Sequence, residues 1–316
     1  KLDFMAIVTT VIPVFNGERH ITKALDSLAR QSRPPDRVVV LDDGSTDCTR
    51  EIVTSFKGLH CEYRRNERNL GLFGNHNRAL ELAAETDYLH FLHQDDVLSP
   101  DFCARTSQQL SSVTGRGMAW CQADLVDEFD RRLPPIVPPI SGLPEAVDLD
   151  DFLKERARLK ADIYISGTMI KTDRKVMPCK FRENFKQVGD QYFWAEFATA
   201  CTRRVRVREV LLRYRHHPSS GTSYNQKNLE TYVLEDWKVI QGIEALRGKT
   251  GLEQWLRMQQ LKCFYAALIQ VKMKLVYDQS PQYAHQVAQA GRSQLKPLHW
   301  WFGKAAFLLR EGFRRI

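Results

Sequence analysis

The chain has 316 residues, 43% hydrophobic and 27% charged, with a formal charge of +8; this is an ordinary soluble composition, with enough apolar material for one sizeable core plus an appendage or for two modest domains. Its seven cysteines are odd in number and contain no C-x-x-C pair, which argues against a disulfide framework and a cysteine zinc site. No apolar run reaches the roughly 18 residues of a membrane span, and the N-terminal residues lack the basic-then-apolar layout of a signal peptide, so a reducing cytosolic setting is expected. The positive charge points to an anionic partner without choosing among a phosphorylated ligand, a lipid surface and nucleic acid.

Strand-like and helix-like segments alternate over about the first 125 residues. Ala6 to Phe15 is apolar and β-branched, whereas Ile21, Ala24, Leu25 and Leu28 recur at helical spacing. Arg37 to Leu41 reads as a strand, Asp47 to Phe56 as a short helix, Cys61 to Arg64 as a strand and Gly74 to Ala84 as a helix. Tyr88 to Leu92 is again a strand, and Pro100 to Leu110 a helix with proline in its first turn. A βαβαβαβ order implies a mostly parallel sheet covered by helices on both faces. Met118 to Leu125 adds a strand, and the proline-rich run from Leu133 to Pro139 reads as a surface loop. Asp148 to Lys160 and Asp190 to Ala200 look helical; Tyr164 to Ile170 and Arg204 to Val210 look extended. Beyond Tyr224 the pattern becomes helices over Leu229 to Leu246, Leu252 to Tyr277 and Gln282 to Ala290.

Two acidic pairs end apolar runs: Asp42-Asp43 after Val38 to Leu41, and Asp95-Asp96 after Tyr88 to Leu92 with His93 and Gln94 between. A buried parallel strand delivers such carboxylates to the carboxyl edge of the sheet, where open α/β sheets bind ligands. Adjacent carboxylates there are poorly explained by packing, because buried acids are costly unless paired or metal-bound. A divalent cation carrying a diphosphate would satisfy them.

Five ordered strings carry a family resemblance: Val11 to Asn16; Ala24 to Leu28 with Gln31-Ser32; Val40 to Asp47; Asn69-Leu70-Gly71; and Asp95-Asp96. In this order they resemble family 2 glycosyltransferases of the GT-A fold, closely over about residues 6 to 105 and more weakly to about 223. The resemblance implies an α/β, Rossmann-like GT-A domain over residues 1–223, with a nucleotide-binding half at 1–125 and an acceptor half at 126–223, followed by a helical C-terminal region at 224–316. It implies an inverting transfer of a sugar from a nucleotide-diphosphate donor, UDP-sugars favoured, to a hydroxyl of a saccharide or lipid-linked acceptor in surface polysaccharide or glycoconjugate assembly, with Mn²⁺ or Mg²⁺ and no nucleic-acid partner.

The same resemblance assigns roles. Asp43 contacts the base, with Pro13 and Phe15 as an apolar wall beside it and Asn16 and Asn69 near the donor; Asp42 reads as structural, and turn formation with helix capping is the plainer reading of the Asp42 to Ser45 string. Asp96 takes the metal and Asp95 lies near the donor ribose or sugar, while His93 stands where the D-x-D element has its first acid; acids capping the helix near Pro100 are the plainer alternative. Arg78 is a pyrophosphate candidate, because guanidinium binds phosphate bidentately, or simply helix surface. Asp190, ahead of an aromatic helical segment, is the general base, with N-capping as the alternative. Tyr214 to Ser223 resembles the loop that closes over the diphosphate, with His217 at metal or phosphate, His216 solvated, and only one of Arg213 and Arg215 facing the pocket.

Residues 296 to 316 mix aromatics with basic groups, and Leu298, Phe302, Ala305 and Leu309 share a helical face. A helix lying in a membrane interface, which would place the protein peripherally at the inner face of the membrane, a helix packed on the catalytic domain, and a contact in a homo-oligomer all explain the pattern. Two other functions share the nucleotide site: a sugar nucleotidyltransferase, which typically carries a Gly-rich phosphate loop after the first strand, and a non-catalytic nucleotide-sugar binder.

Overall fold

The computed structural model describes residues 6–134, 145–159, 162–218, 220, 228–277 and 280–313. The proline run at 135–139 and, of the loop after His217, Ser219 and residues 221–223 fall outside them. The chain forms two compact units: Lys1–Phe152, Lys160–Asn184 and Glu196–His217 make one, and Leu153–Leu159, Phe185–Ala195 and Pro218–Ile316 the other.

The first unit holds one eight-stranded sheet in the order β3-β2-β1-β4-β7-β6-β8-β5. Strands β1 (Val8–Val14), β2 (Arg37–Asp42), β3 (Cys61–Arg65) and β4 (Tyr88–Phe91) pair in parallel. β7 (Thr168–Lys171) then lies antiparallel between β4 and β6 (Gly117–Val126), β8 (Arg203–Arg215) runs parallel to β6, and β5 (Val97–Leu98) closes the edge antiparallel to β8. The sheet is therefore mixed, its parallel character concentrated in the first half. β8 continues past the expected Val210 to Arg215. Its register against β6 shifts between Cys121 and Ala123, and Arg208, Glu209 and Val210 are exposed there, so the alternation that marks a strand is interrupted by a bulge.

Strand alternation assigns the two faces. Val8, Ile12, Val14, Val38 and Val40 pack with residues of α1 (Ile21–Ala29), α2 (Thr49–Ser55) and α4 (Phe102–Leu110). Phe91, of the opposite parity to Tyr88, instead meets Phe181 and His76 of α3 (Gly71–Leu80). Both faces of the parallel half are thus covered, and its strand order reverses between β1 and β4, the position at which open α/β sheets leave a crevice.

The ends of β1, β2 and β4 are tied by side chains. Gln94 accepts from the Phe15 amide at 2.9 Å and donates to the Phe15 carbonyl at 3.2 Å. Asn16, at φ 50°, accepts from the Thr46 amide at 2.9 Å. The site's edge is therefore held by hydrogen bonds between loops distant in sequence.

Helix α5 (Leu149–Arg156) precedes β7, and α6 (Gly189–Thr199) precedes β8. In the second unit, α7 (Leu229–Leu246), α8 (Gly251–Tyr277), α9 (Pro281–Arg292) and α10 (Pro297–Phe313) pack together. α9 starts with Ser280 accepting from the Tyr283 amide and proline in its first turn, a cap that sets its start one residue before the periodicity does. α10 packs close on α8 through Gly303, where a Cβ would stand 2.3 Å from Ala266 Cβ and 2.7 Å from the Cys263 carbonyl.

Candidate active site

Asp42, fully buried at the end of β2, accepts from the Ser45 amide at 2.9 Å, the Ser45 hydroxyl, the Tyr63 hydroxyl and Arg65 at 2.9 Å. Its capacity is used, as expected of a structural acid. Asp43 is also buried and accepts from the amides of Leu70 at 2.8 Å and Gly71 at 2.9 Å and from Asn66 at 2.8 Å. Gly71 sits at φ +76°, a conformation that costs glycine little. Asn69 completes this turn, donating to the Asp43 carbonyl at 3.0 Å and accepting from the Gly71 amide at 3.0 Å. Pro13 is buried within β1 opposite Leu41, and Phe15, 47% exposed, stands at the strand's end.

After β4 come His93, Asp95 and Asp96, each offering a ligand atom within 4.8 Å of the others. Asp96 is buried; its Oδ2 accepts from the Ser166 hydroxyl at 2.5 Å and its Oδ1 from the Arg215 amide at 2.9 Å. Burial and the charge of Asp95 together push its carboxyl well above the usual range, against the pull of Ser166 and Arg215. Burial also raises Asp95, but the hydrogen bond from His217 and the proximity of His93 outweigh it and hold Asp95 below its ordinary value. Arg215, fully buried, donates to the carbonyls of Asp95 and Asp127, each at 2.9 Å, and pairs with Asp130, so it braces the loop through its backbone.

The histidines fix one another's tautomers. His76 Nδ1 faces the Leu72 carbonyl at 2.7 Å, so that nitrogen carries the proton; burial and then His93 push its pKa down to about 3, leaving Nε2 an acceptor. His93 Nε2 lies 3.0 Å from it and is therefore the donor, which makes Nδ1 the bare nitrogen of His93. Two carboxylates and one bare imidazole nitrogen suit a divalent cation, and imidazole is more at home on Mn²⁺ than on Mg²⁺. A buried acid short of positive charge, as Asp96 is, fits the same ion.

His217 lies on Asp95 rather than in that cluster, its Nε2 3.0 Å from Asp95 Oδ2, with the His20 ring tilted against it at a centroid separation of 4.9 Å. Of the paired arginines, Arg215 points inward and Arg213 is exposed. Arg78 sits in the last turn of α3, exposed, with Glu81 3.2 Å away, two residues beyond the His76 that touches His93.

Asp190 lies in the first turn of α6, and burial raises its carboxyl to about 6, with the Gln191 amide and Arg156 opposing. The loop before it is clamped by Glu235, a buried acid of α7 that accepts from the amides of Lys186 at 2.8 Å and Gln187 at 3.0 Å. Glu235, Ser166 and His76 escape a reading of sequence because their partners lie 17 to 70 residues away.

A mixed sheet whose parallel half ends in acidic clusters flanking β1 is the GT-A fold of nucleotide-sugar enzymes. Residues 9–112 match the sequence model of glycosyl transferase family 2. It is similar to the putative glycosyltransferase EpsH of Bacillus subtilis, 23% identical over 70% of this chain and 64% of that one, so it spans a little under two thirds of that relative. A 96-residue stretch is 33% identical to the poly(ribitol-phosphate) β-N-acetylglucosaminyltransferase TarS of Staphylococcus aureus, covering 29% of this chain and 17% of TarS. Among solved structures, S. aureus TarS 1–349 in complex with UDP-GlcNAc superposes with a TM-score of 0.58 at 18% identity over 91% of each chain. The mannosyltransferase PcManGT of Pyrobaculum calidifontis, in complex with GDP-Man and Mn²⁺, gives 0.52 at 15% identity over 96% of this chain and 85% of that one.

Proposed function

We propose that the chain transfers a sugar from a nucleoside-diphosphate donor, UDP-linked by preference, to an acceptor hydroxyl with inversion. The observation that supports this most is the convergence of His93, Asp95 and Asp96 at the end of β4, on the other side of β1 from Asp43. In this reading Asp43 and the turn it holds receive the base, Phe15 lines it, and His93, Asp95 and Asp96 would hold Mn²⁺ or Mg²⁺. When bound, such an ion neutralises charge on the diphosphate. His217 orients Asp95 and keeps it ionised. Asp190 takes the acceptor proton: the acceptor oxygen bonds the anomeric carbon, the bond from that carbon to the diphosphate oxygen breaks, and its electron pair leaves with the nucleoside diphosphate. A carboxyl raised to about 6 is a better base than an ordinary one and still largely ionised at neutral pH. UDP-GlcNAc and GDP-Man bound to structures of similar fold support a nucleotide-sugar donor, and the similarity to the poly(ribitol-phosphate) β-N-acetylglucosaminyltransferase TarS supports a saccharide or lipid-linked acceptor in surface polysaccharide assembly.

The nucleotidyltransferase reading needs free amides after β1 to cradle phosphates. Here the amides of Asn16, Gly17 and Glu18 already donate to Ser45 at 2.9 Å, Thr49 at 2.8 Å and Asp47 at 3.0 Å. The test is nucleoside-diphosphate release from a panel of UDP- and GDP-sugars with Mn²⁺, in wild type and Asp190→Asn. Release by wild type that the variant loses supports transfer; pyrophosphate release, or none from any donor, contradicts it.

A further inference from the structure

The last two thirds of the second unit's C-terminal stretch is rich in positive charge. Residues 254–310 hold eight lysines and arginines against the single acid Asp278, and the formal charge of the whole chain is +8. Two of the eight are neutralised where they stand, Lys272 by Asp236 and Arg257 by Glu244. Between α8, α9 and α10 lies a cavity of about 300 Å³, lined by Gln270, Met273, His285, Arg292, Trp300 and Lys304 among others, with no acid in its wall. Arg292 rests over the Trp300 ring, 4.5 Å from its centroid, and Arg292, His285 and Lys304 are exposed. The buried Nε2 of Gln270 has no hydrogen-bond partner among the described residues. The cavity wall therefore carries two cations, an unpartnered amide donor and no acid, a match for an anionic oxygen group.

Beside it α10 turns an apolar face outward. Leu298, Trp301, Phe302, Leu308 and Leu309 are 48 to 65% exposed. With Ala305 they form a stripe about 120° wide on a helical wheel. The face they oppose, with His299 and Gly303, is the one buried on α8, and Lys304 flanks the stripe on the cavity side. α8 extends the patch. Gln259 bonds His299 at 2.8 Å, and Leu252, Trp255 and Leu256, seven, four and three residues before Gln259, share its face and are left uncovered where α10 has not yet begun.

We propose that α8, α9 and α10 form a docking surface for an anionic phospholipid bilayer. Trp301, Phe302, Leu298, Leu308 and Leu309 enter the boundary between headgroups and acyl chains, and the cavity of Arg292, His285, Lys304 and Gln270 receives a lipid phosphate. The helix lies on the membrane rather than crossing it, since no helix among the described residues is long and apolar enough to span one. Charge selects this occupant over a second copy of the chain, because a copy would bring the same cations face to face. The proposal does not rest on the catalytic reading and stands or falls separately.

The test is co-sedimentation with vesicles of pure phosphatidylcholine and of equimolar phosphatidylcholine and phosphatidylglycerol, together with quenching of tryptophan fluorescence by lipids brominated in the acyl chain. Wild type should pellet with the anionic vesicles and be quenched there, with little of either on phosphatidylcholine. Arg292→Gln with Lys304→Gln should weaken partitioning by about tenfold or more. Trp301→Ser with Leu308→Ser should abolish it, and Trp301→Phe should reduce the quenching, the remainder coming from Trp255. Wild type that ignores the anionic vesicles, or binds both kinds alike without quenching, overturns the proposal, and this arm needs no variant to fold. So does a dimer in sedimentation equilibrium that Trp301→Ser with Leu308→Ser dissociates while vesicles go unbound.

Discussion

His217 reaches 122 residues back along the chain to donate from Nε2 to Asp95 Oδ2 across 3.0 Å. This bond, more than any other, offsets the burial that would otherwise raise the Asp95 carboxyl. Two motifs that sequence presents as separate are thereby one device, the first supplying an acid and the second keeping it ionised. His217→Ala should therefore weaken nucleoside-diphosphate binding in Mn²⁺ about tenfold, the loss of one charge-assisted hydrogen bond. Calorimetry measures it, and an unchanged Kd would separate His217 from the site.

The raised carboxyl of Asp190 gives a signed pH dependence. A base must be deprotonated, so kcat/KM should fall about tenfold per unit below a pH of about 6 and level off above it. Asp190→Asn should lose this limb and slow turnover by about 10²-fold or more while leaving donor affinity unchanged. A limb that persists in the variant would place the titrating group elsewhere.

The same shift makes a statement about stability. The folded-state value of Asp190 lies above the ordinary carboxyl value of 3.8, so ionisation favours the unfolded chain as pH rises from about 4 to 6, and the cost persists at neutral pH. Asp190→Asn should thus be at least as stable as wild type at pH 7, by up to about 3 kcal/mol, with the difference gone near pH 3. Urea melts at both values check it; a variant clearly less stable at pH 7 would show that the carboxylate is structural.

Asp42 and Asp43 sit side by side with different work. Asp42→Ala strands the Ser45 amide and hydroxyl and the Tyr63 hydroxyl around a buried vacancy, and should cost about 3 kcal/mol in chemical denaturation. Arg65, more exposed, can turn to water. A loss below about 1 kcal/mol would remove Asp42 from the framework.

Gly303 is the point of closest approach of α10 to α8. Its first added carbon would meet backbone as well as side chain, which cannot turn aside, so Gly303→Ala should lower stability by about 1 to 3 kcal/mol. Thermal unfolding tests this, and a neutral outcome would mean that α10 shifts freely on α8.

Much of the sheet edge was legible in sequence because it is written locally. The runs Val38 to Leu41 and Tyr88 to Leu92 end in acids at the edge they reach in space, and Leu229 to Leu246 keeps helical periodicity to its ends. What was not legible depends on partners far along the chain. The antiparallel β7 is four residues long, too short for a pattern to fix its direction. β8 is interrupted by its bulge, hiding the segment that brings the Arg215 amide to Asp96. His93 read from its neighbours is a missing acid; beside His76 it donates from Nε2 and leaves Nδ1 bare, and no spacing rule reveals a partner 17 residues back on another element.

The central claim is that His93, Asp95 and Asp96 hold a cation through which the protein grips a sugar nucleotide. Titration calorimetry of UDP and UDP-sugars into wild type and Asp96→Ala, each in Mn²⁺ and in chelator, tests it most directly. Wild type should bind at least about tenfold more tightly with Mn²⁺, and Asp96→Ala should bind equally weakly in both, each tenfold step being about 1.4 kcal/mol. Equal affinity of the wild type with and without the ion, or a manganese effect that survives in Asp96→Ala, would contradict it.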